Sequence, residues 1–343
     1  MINKKLKILI FIASSFLINF NFALASPEPI SNMIIFGDSL SDIGNNSWIH
    51  STGTPISNLD SKGHRHLWIH DVAQQFTKKE IYPSNKKNID PIKENVSYAF
   101  ASADSSNHYL AADWPQDMQI PAINEKCTAP GPLRQDKTFD ILSTCVPGLQ
   151  LQINQYSLDL KKQQSVPNPN SLFFIWSGAN DILYAANHPD QLVASAQLAA
   201  DNIKTAIKKL LSLGVSSTHI YVLDLPDLAK TPFAIKTYSD LQARMAMSKI
   251  TTFFNTRLQT ILTTTLDGQP SLLEPSHLIS IHNLLDNVIA NPTQYKLSNV
   301  THACLDNHAS PVCDGYLFFD LKHPTTQASA IIADYISHQL VTN

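Results

Sequence analysis

The stretch Ile34–Asn46, IIFGDSLSDIGNN, ends an apolar run in a glycine and then sets Ser39 close to two acids, Asp38 and Asp42. Ser39 is a candidate nucleophile. Gly, Asp, Ser and Asn are also ordinary turn residues, so the stretch decides nothing alone. A serine hydroxyl is a poor nucleophile and needs a base, an acid that orients the base, and donors for the oxyanion. Each has a candidate elsewhere. Asp320 and His323 stand three residues apart in FFDLKHPT (Phe318–Thr325), a spacing that lets one turn set the carboxylate against one ring nitrogen. The chain has 13 histidines, so this pair carries weight only in combination. Asn180, in SGAND (Ser177–Asp181), can donate an amide N–H, and Gly178 permits a tight turn. Ser97–Ala103, SYAFASA, offers small residues that leave a backbone N–H free to donate.

These segments need a scaffold that gathers them. Met33–Phe36, Val96–Ala101, Ser171–Trp176, His219–Leu223 and Leu278–Ile281 read as strands. Stretches 66–76, 149–160, 191–213, 241–262 and 325–341 have helical spacing, with Gly214 a natural C-terminal stop. The run SLFFIW is apolar throughout, as expected of a strand covered on both faces. This alternation predicts parallel β-α-β units in a three-layer α/β/α sandwich with a mainly parallel sheet. In such sheets working residues collect at the carboxyl ends of strands, where Ser39, the 97–103 segment and Asn180 would all lie.

The joint order of the motifs resembles the GDSL, or SGNH, family of esterases and lipases. It runs from FGDSLSDIGNN through the small residues after the second strand and SGAND to DLKHP. VLDLPDLAKTP (Val222–Pro232) is similar to its lipolytic branch, which includes secreted lysophospholipases, phospholipases A and glycerophospholipid–cholesterol acyltransferases. The resemblance implies a flavodoxin-like fold, Ser39 as nucleophile, His323 as general base and Asp320 as its orienting partner. It implies an oxyanion hole made by the backbone N–H groups of Ser39 and Ser102 and the Asn180 side chain. The family usually has Gly-Gly where this chain has Ala101-Ser102; the backbone donor survives if the turn does not require a positive φ. Asp38 is expected to brace the turn. The implied substrates are acyl lipids, lysophospholipid or phospholipid, met at a transient membrane or micelle surface. Acyl transfer and carbohydrate or short-chain ester cleavage are the alternatives. No cofactor and no stable protein partner is implied.

Composition narrows the rest. The 343 residues are 43% hydrophobic, enough for a large core. Residues 1–25 have a basic start, an apolar centre and Ala23-Leu24-Ala25, the pattern of a signal peptide cut near Ala25. Its removal takes three lysines and changes the formal charge from −3 to about −6. With no basic block remaining, nucleic acid is not expected as a partner. The expected organisation is a secreted or periplasmic single domain over 26–343, with a polar insert at 103–147. The four cysteines, Cys127, Cys145, Cys304 and Cys313, form no C-x-x-C pair and read as disulfides in an oxidising compartment. Three pairings are possible, and neighbours in sequence are the simplest. His64, His66 and His70 lack a metal-binding frame, so no metal is expected. No two of the ten glycines stand four apart, which excludes the G-x-S-x-G elbow of α/β-hydrolases.

Overall fold

The computed structural model describes residues 29–45, 57–58, 66–111, 145–186, 188–266, 268–307 and 313–342. A six-stranded sheet forms the centre. Its strands are β1 (Asn32–Gly37), β2 (Ile81–Pro83), β3 (Asn95–Ser97), β6 (Ser171–Trp176), β7 (Ile220–Leu223) and β8 (Leu278–Ile279). They lie in the order β2-β3-β1-β6-β7-β8, and every neighbouring pair is parallel. All six residues of β1 and all six of β6 are buried, which is why both read as unbroken apolar runs.

Helices cover the sheet. They are α1 (Trp68–Thr77), α2 (Leu149–Lys162), α3 (Ala179–Ala185), α4 (Leu192–Ser212), α5 (Pro232–Thr237), α6 (Leu241–Thr263), α7 (Ile281–Ala290), α8 (Cys304–Asn307) and α9 (Thr326–Thr342). α1 packs on α9, and α4 packs against both α2 and α6. The core is correspondingly large and includes Trp68, Trp176, Phe174 and Phe254, each 2% exposed or less. None of the described helices is long and apolar enough to cross a membrane.

Several boundaries differ from the sequence reading. β3 stops at Ser97, yet the chain keeps bonding to β1: Tyr98 N–H donates to Ile35 O at 2.7 Å and Phe100 N–H to Gly37 O at 3.2 Å. The strand expected over 278–281 ends at Ile279, because the Ser280 hydroxyl caps α7 by accepting from the Asn283 amide at 3.2 Å. Outside the main sheet, β4 (Tyr109–Ala111) pairs antiparallel with β5 (Cys145–Pro147) and joins the two ends of the insert. The parallel pair β9 (Asn299–Ala303) and β10 (Tyr316–Phe318) precedes the last helix. The leader at 1–25, His64, Cys127 and most of the 103–147 insert lie outside the described residues.

The chain leaves β1, builds β2 and β3 on one side, then crosses to β6 on the other. The strand order therefore reverses at β1. A crevice opens outside the carboxyl ends at such a point, and the residue that follows Asp38 there is Ser39.

Candidate active site

The turn after β1 is fixed from several directions. Gly37 faces Trp176 in the sheet, and a Cβ on it would come 2.1 Å from the Trp176 carbonyl oxygen, so only glycine fits. The Gln152 amide, reaching from α2, accepts from Gly37 N–H at 2.9 Å and donates to Gly37 O at 2.8 Å. Asp38 Oδ1 accepts from the Leu40 amide at 3.0 Å, the bracing role expected of it. Its Oδ2 is buried and has no partner among the described residues. Burial pushes this carboxyl up to about 6, against the Leu40 amide and the nearby His323 charge. Asp42 and Asn45 tie the turn to the strand beside it. Asp42 Oδ2 accepts from Ala101 N–H at 2.7 Å, and the Asn45 amide donates to Ser97 O at 2.7 Å and Ala99 O at 2.9 Å.

The loop between β10 and α9 supplies the other two groups. Asp320 Oδ1 accepts from the backbone amides of Lys322 at 2.8 Å and His323 at 2.7 Å, closing a tight turn. Its Oδ2 lies 2.7 Å from His323 Nδ1, and His323 Nε2 lies 2.8 Å from Ser39 Oγ. Burial opposes the Asp320 carboxylate. The His323 charge and the three hydrogen bonds outweigh it and hold the carboxyl below its usual range. Asp320 is thus ionised at neutral pH and fixes Nδ1 as the protonated nitrogen, leaving Nε2 able to accept the Ser39 proton. His323 is 7% exposed.

A disulfide, Cys304–Cys313, backs this loop with a Cα–Cα distance of 5.8 Å. Both cysteines pack on Phe319, the residue before Asp320, whose carbonyl accepts from Leu305 N–H at 3.0 Å. The Cys127–Cys145 pairing lies outside the described residues.

Asn180 is the second residue of α3, two beyond Gly178, whose φ of +112° and closeness to the Phe254 ring exclude a side chain. One Asn180 amide hydrogen goes to Ala103 O at 2.8 Å, and an amide nitrogen has two. The same helix holds the loop after β3 at two more points. Tyr184 donates its hydroxyl to Ser102 O at 2.6 Å. Asp181 accepts from the Ser105 amide at 3.0 Å and the Ser105 hydroxyl at 2.6 Å. Burial, then the neighbouring Asp104 carboxyl, push Asp181 well above the ordinary range, so it retains a proton where free aspartates are ionised. Ser102 itself has φ +70°, the left-handed region that favours glycine. The turn therefore requires the positive φ that the sequence reading expected to cost the donor; Ser102 adopts it nonetheless, with its carbonyl held by Tyr184. Among the described residues the amides of Ser39 and Ser102 have no acceptor. Sequence reasoning missed Tyr184 and Asp181; only their places on the same short helix as Asn180 could have suggested them.

Ser39, Asn180 and His323 line one cavity of about 90 Å³; Ser102 is not part of its lining. The walls are apolar: Leu40, Leu183 and Leu228, with Ile281, Leu284, Leu285 and Val288 from α7 and Ile331 and Ile332 from α9. Among the described residues no group of three or more His, Cys, Asp and Glu could hold a metal ion. His66 and His70 meet edge to face, with ring centroids 5.7 Å apart.

The chain is 26% identical over 333 residues to the esterase EstA of Pseudomonas aeruginosa, covering 91% of this chain and 47% of that protein. It is 22% identical to the GDSL esterase/lipase At3g50400 of Arabidopsis thaliana, covering 88% of this chain and 85% of the relative. The chain spans about half the length of the Pseudomonas relatives it matches. Among solved structures, phospholipase A1 of Streptomyces albidoflavus aligns over 90% of this chain and 99% of its own, at 12% identity and a TM-score of 0.37. The family described as GDSL-like lipase/acylhydrolase matches residues 33–336, nearly the whole of the described chain, and the protein belongs to that family.

Proposed function

We propose that the protein hydrolyses acyl esters of lipids, acting as a lysophospholipase or phospholipase A. Ser39 Oγ attacks the ester carbonyl while His323 Nε2 takes its proton, and Asp320 holds the imidazole and stabilises its charge. The developing oxyanion is met by the Ser39 amide, the second Asn180 N–H and the Ser102 amide. His323 then protonates the leaving alcohol, and water repeats the sequence to free the acid and Ser39.

One observation carries the lipid reading: the Ser39–His323–Asp320 relay opens onto a cavity walled by leucine, isoleucine and valine side chains. Such walls favour an acyl chain over a sugar, because apolar area removed from water is the gain on offer. Export is part of the proposal, supported by the leader-like residues 1–25 and by the Cys304–Cys313 disulfide.

The test is product analysis from defined lysophospholipids, phospholipids and acetylated sugars, with and without a sterol acceptor. Free fatty acid from lysophospholipid should dominate. Faster acetate release from sugars, or a sterol ester as the larger product, would overturn the substrate assignment. Ser39→Ala and His323→Ala should each lower kcat by roughly 10⁴–10⁶.

A further inference from the structure

Lys322 sits between the two members of the acid–base pair, and its side chain lines the cavity that holds Ser39. Among the described residues it is the sole lysine or arginine of that lining. Other lysines here find carboxylates: Lys86 with Glu94 at 2.7 Å, Lys162 with Asp159 at 2.9 Å, Lys230 with Asp286 at 2.6 Å. The Lys322 ammonium has no carboxylate within 4.0 Å among the described residues. The ammonium lies over the face of Phe233, 5.2 Å from the ring centroid. The one acid beside it in sequence, Asp320, has its oxygens taken by His323 and two backbone amides. Burial lowers the lysine's pKa, partly countered by the Asp320 charge.

A half-buried cation with no carboxylate in contact has lost hydration, and the more distant Asp320 charge and the ring face offset only part of that loss. The missing partner is an anion that arrives with the substrate. In an acyl lipid the anionic group near the scissile ester is the phosphate, at the far end of the three-carbon glycerol from a terminal ester and within reach of a lysine's flexible stem.

We infer that Lys322 forms a phosphate-binding subsite beside Ser39 and selects lysophospholipids over neutral acyl esters of the same chain. The inference rests on the esterase reading above and names its substrate class. The ammonium pairs with the headgroup phosphate while the acyl chain enters between α7 and α9. The subsite sits on the loop of His323, so headgroup capture and placement of the ester against Ser39 become one event.

The experiment compares kcat/KM for 1-acyl lysophosphatidylglycerol and for the monoacylglycerol with the same chain, both in neutral detergent micelles. Wild-type protein should favour the phosphate lipid. Lys322→Met should cut the ratio of the two constants roughly ten- to hundredfold, the range of a charge-assisted contact. Lys322→Arg should keep the ratio within about threefold, because the cation remains. Glycerol 3-phosphate should inhibit wild type competitively and the Met variant much less. An unchanged ratio overturns the inference, including the case where both substrates slow equally because the lysine acts only through Asp320 and His323. Ser39→Ala, run alongside, separates the two levels: if it still cleaves both lipids, the esterase reading fails rather than the subsite.

Discussion

Tyr184→Phe should damage catalysis without touching the substrate. Its hydroxyl donates to Ser102 O at 2.6 Å, in a chain segment where Ser102 sits at φ +70°. A non-glycine residue held in that region costs on the order of 1–3 kcal/mol and persists only when its surroundings impose it. The surroundings are α3: Asn180 on Ala103 O, Asp181 on the Ser105 amide, Tyr184 on Ser102 O. Removing the Tyr184 hydroxyl leaves a part-buried carbonyl unsatisfied, worth about 1–3 kcal/mol, which is comparable to the strain it restrains. The Ser102 peptide is then free to relax, and its amide turns from the oxyanion position. Complete loss of one oxyanion donor costs about 10²–10³ in kcat. A partly displaced donor should cost roughly 10- to 100-fold, with KM within about threefold.

The decisive comparison is a double-mutant cycle with Ser102→Gly. Glycine takes φ +70° without penalty, so the loop no longer needs the tyrosine to stay in place. In that background Tyr184→Phe should lower kcat by about threefold, a coupling of about 0.7–2 kcal/mol. The assay is steady-state hydrolysis of a soluble p-nitrophenyl ester, with near-UV circular dichroism on all four proteins as the check of folding. Equal losses in both backgrounds, or no loss at all, would refute the idea that Tyr184 holds the Ser102 donor.

Other outcomes follow from the same site and its supports. Asn180→Ala should lower kcat by about 10²–10³ with KM little changed, since it loses an oxyanion donor and frees Ala103 O; retention of more than a tenth of kcat would remove Asn180 from the site. Asp38 is raised from 3.8 to about 6 in the fold, so the native state binds its proton more tightly. Its stabilising share is full below about pH 4 and is lost as pH rises through about 6, on the order of 3 kcal/mol in all. The Tm of Asp38→Asn relative to wild type should therefore climb between pH 4 and 7.5; a flat difference would contradict the shift. Cys304→Ser with Cys313→Ser opens a loop with a sequence separation of 9, for which chain entropy gives about 2.7 kcal/mol. Because both cysteines pack on Phe319, kcat should fall at temperatures where the core is still folded, and a pure drop in Tm with kcat intact would show that the disulfide does not support the Asp320–His323 loop. The cavity of about 90 Å³ has room for roughly six to nine water-sized groups, so kcat/KM should rise with acyl length to about eight or ten carbons and then level. Leu284→Trp should move that plateau to shorter chains, and an unmoved plateau would place the acyl chain elsewhere.

The difference between what was legible in the chain and what was not has a physical basis. β1 and β6 were readable because parallel strands covered on both faces must be apolar at every position, and Ser171–Trp176 matches its strand to the residue. Ser39, Asp320, His323 and Asn180 were readable because each chemistry tolerates few residue types, and the structure puts the first three in one hydrogen-bonded line. Strands of two or three residues, such as β2 and β8, are too short to show a period, and β9 alternates poorly because four of its five residues are not buried. The cavity beside Ser39 left no such mark. Much of its apolar wall comes from α7 and α9. Ile281, Leu284, Leu285 and Val288 have ordinary helical spacing, and a residue that packs against a neighbour is chemically identical to one that faces a void. What separates them is the distance between two helices, set by everything packed behind each of them. A triad is local chemistry and leaves a local signature. A cavity is a shortfall in packing summed over the whole fold, so no single residue carries its sign.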